Sequence, residues 1–378
     1  MLAQYDFPFP QSQIATAPAH PRDSAQLLVF DPASGKSTFD TFLHLDTYLD
    51  EGTLLILNDT KVVPARLPCF LPTGGKVELL WLAHKGTRTF EALSPRILAL
   101  GDTLRFGTLT LTVREKHESI YTLEHTGSAT TFTRLMQRSG TTPIPPYIKG
   151  TPLTEAALRK EYQTIWAKRA GSVAAPTASL HFTPRLMKKL RQKKIEIKYV
   201  TLHVGLGTFA PLTEDHLKTK TLHEEWYEIP PATLRAIAKA RRQGRPIIPV
   251  GTTALRTLES ISCHTKNSPE AVRLFEGVSQ ADGPRVSAAR ARADSDPRKA
   301  LPLRGVTNLF IQPGYEFKIA SGLITNFHVP RSSLVMLVAA LVGREKLLDL
   351  YRSAIARGFR LFSFGDGMLI RPRQHQRA

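Results

Sequence analysis

Cysteine is nearly absent. Cys69 and Cys263 are the only two in 378 residues, which excludes a disulfide scaffold and a cysteine-based zinc site. Long apolar runs are missing too: Leu334 to Val342 is too short to span a bilayer. Met1 to Pro10 carries an acid and prolines where a secretory signal needs an apolar core, so the expectation is a cytoplasmic protein with no membrane attachment. The chain also lacks an H-x-x-x-H pair, a G-x-S-x-G elbow and a Walker A loop. Helix-borne metal binding, serine-hydrolase chemistry and ATP-driven chemistry therefore drop out as first expectations, and no metal site is assigned.

Acidic residues are scarce relative to basic ones. The 32 Asp and Glu face 51 Lys and Arg, a net charge of +19, and an excess of this size points to a polyanionic partner, nucleic acid first. The cations are spread over Lys188 to Lys194, Arg235 to Arg242 and the tail from Arg371 to Arg377, so solvation of helix faces is the competing explanation. A length of 378 residues with 42% hydrophobic content fits two soluble domains.

A proline-rich N-terminal segment leads to expected strands at Gln26 to Phe30 and Thr53 to Leu57, the second running into Asn58-Asp59-Thr60-Lys61. From Arg66 to Gly140 short alternating strands with turn residues predict a small all-β barrel or sandwich, with a helix only at Phe132 to Arg138. Helical patterning returns at Thr154 to Lys168 and Thr183 to Lys194. Strands and helices then alternate, and a last strand is expected at Phe359 to Phe364. The expected fold is α/β: a large domain with a barrel-like or strongly curved sheet, formed by residues 1–65 and 141–378, with the all-β domain, 66–140, inserted into it. Ser279 to Arg304 has no hydrophobic period and is expected to be a mobile loop.

Five stretches mix glycine, hydroxyl and imidazole groups. Gly171 to Thr183 packs Gly, Ser, Ala, Pro and Thr together before His181, and small residues of this kind bring backbone close to a ligand. Leu180 and Phe182 are expected to anchor inward, leaving His181 pointing to the other side, with a hydrogen-bonded packing histidine as the alternative. The others are Thr201 to Phe209, with Gly205 and Gly207, then Gly251 to Arg256, Thr325 to His328, and Gly365-Asp366-Gly367 after the expected last strand. Thr252 and Thr253 open a helix whose free amides suit a carboxylate or phosphate. Four of the five at strand ends favour one shared cleft. The residues alone stop at an α/β enzyme with a polar cleft and a polyanionic substrate.

Several stretches carry a family resemblance: L-I-L-N-D-T-K-V-V-P-A-R-L ending at Leu67, P-I-P-P-Y-I at 143–148, E-Y-Q-T-I-W-A at 161–167, G-S-V-A-A-P-T-A-S-L-H-F-T at 171–183, G-T-T-A-L-R-T-L-E-S at 251–260, L-I-T-N-F-H-V-P-R-S-S-L at 323–334 and F-S-F-G-D-G-M-L-I at 362–370. Together they resemble the S-adenosylmethionine:tRNA ribosyltransferase-isomerases of queuosine biosynthesis. The resemblance implies an α/β domain with a smaller β-barrel. It also implies that S-adenosylmethionine is a co-substrate donating its ribosyl part to 7-aminomethyl-7-deazaguanine at the tRNA wobble position, giving epoxyqueuosine, adenine and methionine. Such chemistry needs a base near the sulfonium-acidified 5′ carbon and a proton donor for adenine, and no prosthetic group. His181, His203, His328, Asp59 and Asp366 are the catalytic candidates, and His181 has the most open local setting. Lys61, Arg66, Thr177, Gly205, Gly207, Thr252, Thr253, Arg256 and Asn326 are the substrate-binding candidates, and a monomer is expected. Ser179 stands where the family usually carries glycine, and Ala320-Ser321-Gly322 lacks the usual acid. A non-catalytic tRNA-binding protein and an S-adenosylmethionine-dependent tRNA methyltransferase are the alternatives, although no G-x-G-x-G follows a first strand.

Overall fold

Leu54–Asn58, Ile247–Val250, Leu323–Asn326 and Gly367–Ile370 are buried at every position, the mark of strands covered on both faces. The computed structural model describes residues 2–205, 212–261 and 301–372. In chain order the strands are β1 (Gln26–Phe30), β2 (Ser37–Thr41), β3 (Leu54–Asn58), β4 (Thr60–Val62), β5 (Arg66–Phe70), β6 (Lys76–His84), β7 (Thr89–Leu93), β8 (Thr103–Phe106), β9 (Leu109–His117), β10 (Ile120–His125), β11 (Arg169–Ser172), β12 (Glu196–Leu202), β13 (Thr221–Ile229), β14 (Ile247–Val250), β15 (Leu303–Leu309), β16 (Leu323–Asn326) and β17 (Gly367–Ile370). Nine of them form one open sheet in the order β15-β13-β12-β3-β14-β16-β17-β1-β2. Its centre, β12-β3-β14-β16, is parallel, and β17 runs antiparallel to β16.

The described helices are α1 (Ala129–Ser139), α2 (Glu155–Glu161), α3 (Pro184–Gln192), α4 (Glu214–Thr219), α5 (Pro231–Arg242), α6 (Thr252–Ser260), α7 (Ser333–Val342) and α8 (Arg344–Ala356). Alternation along β3 sends Leu54 and Ile56 into one core with Leu234 and Ile237 of α5, and Leu55 and Leu57 into another with Leu186, Met187 and Leu190 of α3. Each such side chain contributes roughly 1.5–3 kcal/mol when fully buried. The start of α3 is fixed by Thr183, which accepts from the Leu186 amide at 3.2 Å and donates to buried Asp23 at 2.5 Å.

Strands β5 to β10 close into a barrel in the order β10-β7-β6-β5-β8-β9. Its core includes Leu79, Phe90, Phe106 and Leu123, and α1 lays Phe132, Leu135 and Met136 against it. The chain enters and leaves at one place, because Arg66 and Thr141 exchange backbone hydrogen bonds at 3.1 and 2.9 Å.

Three expected elements differ. No strand covers Phe359 to Phe364: Gly358 and Phe362 take φ of +74° and +68°, turn geometry in a segment whose aromatic residues point into the core. The strand comes later, as β17, so Gly365-Asp366 precedes it and Gly367 opens it; antiparallel pairing of Gly367 with Asn326 still sets this stretch beside the end of β16. The helix expected through Lys168 stops at Glu161, because Gln163 and Trp166 spend their side chains on backbone, Gln163 on both the amide and carbonyl of Val62 and Trp166 on the carbonyl of Asn58. Most of the loop expected at 279–304 lies outside the described residues, but its last two residues, Leu303 and Arg304, open β15.

Candidate functional site

The parallel strands end on a cavity of about 560 Å³. Ala174 to Ala178 form one wall, Gly251, Thr252 and Thr253 a second, and Thr325 to His328 a third, with Val204 between. Four of the five small-residue stretches therefore meet at the C-terminal edge of the sheet, where α/β proteins bind ligands. Gly251 precedes α6 at φ +90° and leaves its first-turn amides without a side-chain cap. Ser332 and Ser333 bring the N-terminus of α7 to the same cavity. Two positive helix ends thus border it.

Asn58 holds these walls together. Its side-chain amide accepts from the Thr60 and Leu202 backbone, both at 3.1 Å, and donates to the Leu202 carbonyl at 3.0 Å and Thr253 Oγ1 at 3.2 Å. One residue thereby links β3, the end of β12 and the first turn of α6.

The histidines divide. His328 lines the cavity with Nε2 2.8 Å from Thr325 Oγ1, while its backbone amide donates to Tyr351 Oη at 3.0 Å. Burial pushes its pKa down to about 3, so the ring is neutral at ordinary pH. His181 does not face the cavity as expected. It is buried, stacked on Phe42 at 4.1 Å, with Nε2 3.4 Å from Asn326 Nδ2, and burial reinforced by Arg360 and Arg22 pushes it to about 3. The residues around it form a 3-10 turn, Thr177–His181, in which Ser179 fits without backbone strain. His203 lies behind β4, with Nδ1 2.8 Å from Thr60 Oγ1 and its ring stacked on Trp226; burial, then Arg169, lowers it to about 4.

The carboxylates are placed as follows. Asp59 accepts from Thr201 Oγ1 at 2.6 Å away from the cavity, and burial raises its pKa against the pull of Thr201 and Arg169. Asp366 is almost completely buried and works as a latch: it accepts from the Gln26 amide at 2.9 Å and the Arg360 amide at 2.7 Å, with burial raising its pKa.

Among the binding candidates, Thr177, Thr252, Thr253 and Asn326 line the cavity. Arg256 does not reach it as expected, because its guanidinium turns into the protein to pair with buried Glu225. Arg66 pairs with Glu78 at 2.8 Å and donates to the Ile144 carbonyl at 2.9 Å, bracing the barrel entry. Lys61 is exposed on β4 and Gly205 lies near Glu225, its amide 3.4 Å from Oε1, while Gly207 is outside the described residues. Sequence reasoning missed Tyr147, Tyr162 and Ser363, all of which line the cavity. Both tyrosines sit in stretches that carry the family resemblance, so a signal was there. Among the described residues, no helix is long and apolar enough to cross a membrane.

A parallel-centred sheet with a cavity at its strand ends, two helix N-termini on that cavity and a closed barrel whose two ends pair at Arg66 and Thr141 define an α/β protein of the ligand-binding kind. Its family follows from comparison: the profile described as queuosine biosynthesis protein matches residues 2–370, and the chain belongs to that family. It is 40% identical over 375 residues to the S-adenosylmethionine:tRNA ribosyltransferase-isomerase of Moorella thermoacetica, covering 98% of this chain and 99% of that one. With the protein of the same name from Gloeobacter violaceus it shares 42% over 373 residues, 97% and 95% of the two chains. A crystal structure of the S-adenosylmethionine tRNA ribosyltransferase of Thermotoga maritima superposes with a TM-score of 0.50 at 29% identity, over 97% of this chain and 99% of that chain.

Proposed function

We propose that this protein transfers and isomerises the ribosyl part of S-adenosylmethionine onto 7-aminomethyl-7-deazaguanine in tRNA, releasing adenine and methionine. The observation that carries the proposal is the full-length identity to relatives bearing that name. S-adenosylmethionine is the co-substrate, and the first-turn amides of α6 are assigned to its carboxylate. Thr177, Thr252 and Thr253 supply neighbouring hydroxyls.

His328 is assigned as the base at the 5′ carbon. Of His181, His203 and His328 it alone lines the cavity, and its depressed pKa keeps it in the proton-accepting form. His181 and His203 are assigned to holding Asn326 and β4 in place, and Asp59 and Asp366 to bracing the sheet ends. Exposed Lys61 and the outward cations of α3, Lys188 and Arg191, suit tRNA phosphates. The protein is placed in the cytoplasm as a monomer that uses no metal and no prosthetic group.

The test is incubation with S-adenosylmethionine labelled in the ribose and tRNA carrying the aminomethyl base. Free adenine and ribose label in RNA should appear in equal amounts. Methylated RNA with S-adenosylhomocysteine, or binding with no product, would sink the proposal.

A further inference from the structure

Two residues that line the cavity each carry a buried polar atom with no partner, Tyr162 Oη and Asn326 Oδ1. Leaving a buried polar atom unpaired is costly, so two on residues of one cavity call for a reason. The orientation of the Asn326 amide is fixed from behind. Its Nδ2 faces the carbonyls of Phe362, Gly365 and Asp366 at 3.1, 3.3 and 3.4 Å and His181 Nε2 at 3.4 Å. A flipped amide would set oxygen against three carbonyl oxygens. Oδ1 is therefore an acceptor held ready. The Ala175 backbone approaches the Tyr162 hydroxyl without meeting hydrogen-bond geometry, and an amide N–H there can only donate, so the phenol proton stays unspent. Burial raises the Tyr162 pKa and keeps that proton on.

The two residues are anchored to one short segment. Asn326 is tied to Phe362, and the Tyr162 ring packs edge-on against Phe364 at 5.6 Å. We propose that they read the edge of a nucleobase, Asn326 Oδ1 accepting from an exocyclic amine and Tyr162 Oη donating to a ring nitrogen or carbonyl. A carboxylate would meet the donor and be repelled by Oδ1, and an ammonium would meet only the acceptor; an amino-substituted heterocycle presents both. Phe362, Tyr147 and Phe327 give the apolar walls that a flat ring needs. Two bases share this chemistry, the adenine of the co-substrate and the deazaguanine of the RNA, and only this choice of ligands rests on the ribosyl-transfer reading.

The experiment is calorimetric titration of wild type and Tyr162→Phe with S-adenosylmethionine alone and, separately, with an anticodon stem-loop carrying the aminomethyl base. Each ligand is also tested in a form lacking the exocyclic amine. Tyr162→Phe should weaken one of the two ligands about tenfold and leave the other unchanged, which identifies the base that is read. In wild type, loss of the amine should weaken that same ligand by a similar factor. The variant should melt no lower than wild type, because it removes an unpaired buried hydroxyl. Unchanged affinity for both ligands, indifference to the amine, or a clear drop in melting temperature would each overturn the proposal. Absence of adenine release by wild type would instead remove the ribosyl-transfer reading and leave these titrations standing.

Discussion

Arg256 and Glu225 form an ion pair almost out of reach of water, at 7% and 3% exposure. Removing one partner strands the other charge, so Arg256→Ala should destabilise by roughly 3–5 kcal/mol, whereas replacing both, as in Glu225→Gln with Arg256→Met, should cost markedly less. Chemical denaturation of the three proteins checks this, and equal losses for the single and double variants would refute it. His328 carries a different expectation: His328→Ala should lower turnover about a hundredfold, the scale of general acid–base work, with S-adenosylmethionine affinity within a few-fold of wild type. Unchanged turnover would remove it from the chemistry. At this scale the sequence was legible where the residue's own size decides the outcome. Ala174, Gly251 and Thr325 reach the cavity because small residues at strand ends leave room. It was illegible where a distant partner decides: Phe42 captures His181 and Glu225 captures Arg256, and no local pattern announces either.

The entry to α6 shows how one element shapes the cavity. Gly251 holds φ at +90°, a region costly for any side chain, although a Cβ there would meet nothing closer than 3.8 Å. Gly251→Ala should therefore cost roughly 1–2 kcal/mol through backbone strain alone and loosen the first-turn amides. The expected result is a lower melting temperature with several-fold weaker S-adenosylmethionine binding; wild-type values for both would show that the turn does not need glycine. A helix with a cap was legible as an element, α3 behind Thr183-Pro184. Strand β17 was misplaced because the run Phe359 to Phe364 alternates like a strand while its backbone turns, and α2 was overextended because Gln163 and Trp166 bond to backbone outside the helix.

Over the whole molecule, His181, His203 and His328 refuse protons that the unfolded chain accepts below about pH 6.5. Their contribution is intact above that value and is lost as pH falls toward their folded values of about 3 to 4. At pH 5.5 the three together should remove about 4 kcal/mol. Asp59 and Asp366, raised by burial, oppose this in the carboxylate range. Melting temperatures at constant ionic strength should fall between pH 7.5 and 5.5, and a flat profile would contradict these assignments. We also propose that residues 66–140 form an inserted domain, given that the chain enters and leaves at the paired Arg66 and Thr141. The alternating short strands made the barrel legible; the order of the nine-stranded sheet was not, because pairing across 300 residues leaves no local trace. The most direct measurement is a crystal structure with S-adenosylmethionine bound. The ligand should occupy the 560 Å³ cavity with its carboxylate at the first turn of α6 and its sulfonium carbon within reach of His328. Density for it elsewhere, with this cavity unfilled, would contradict the placement of the reaction at the strand ends.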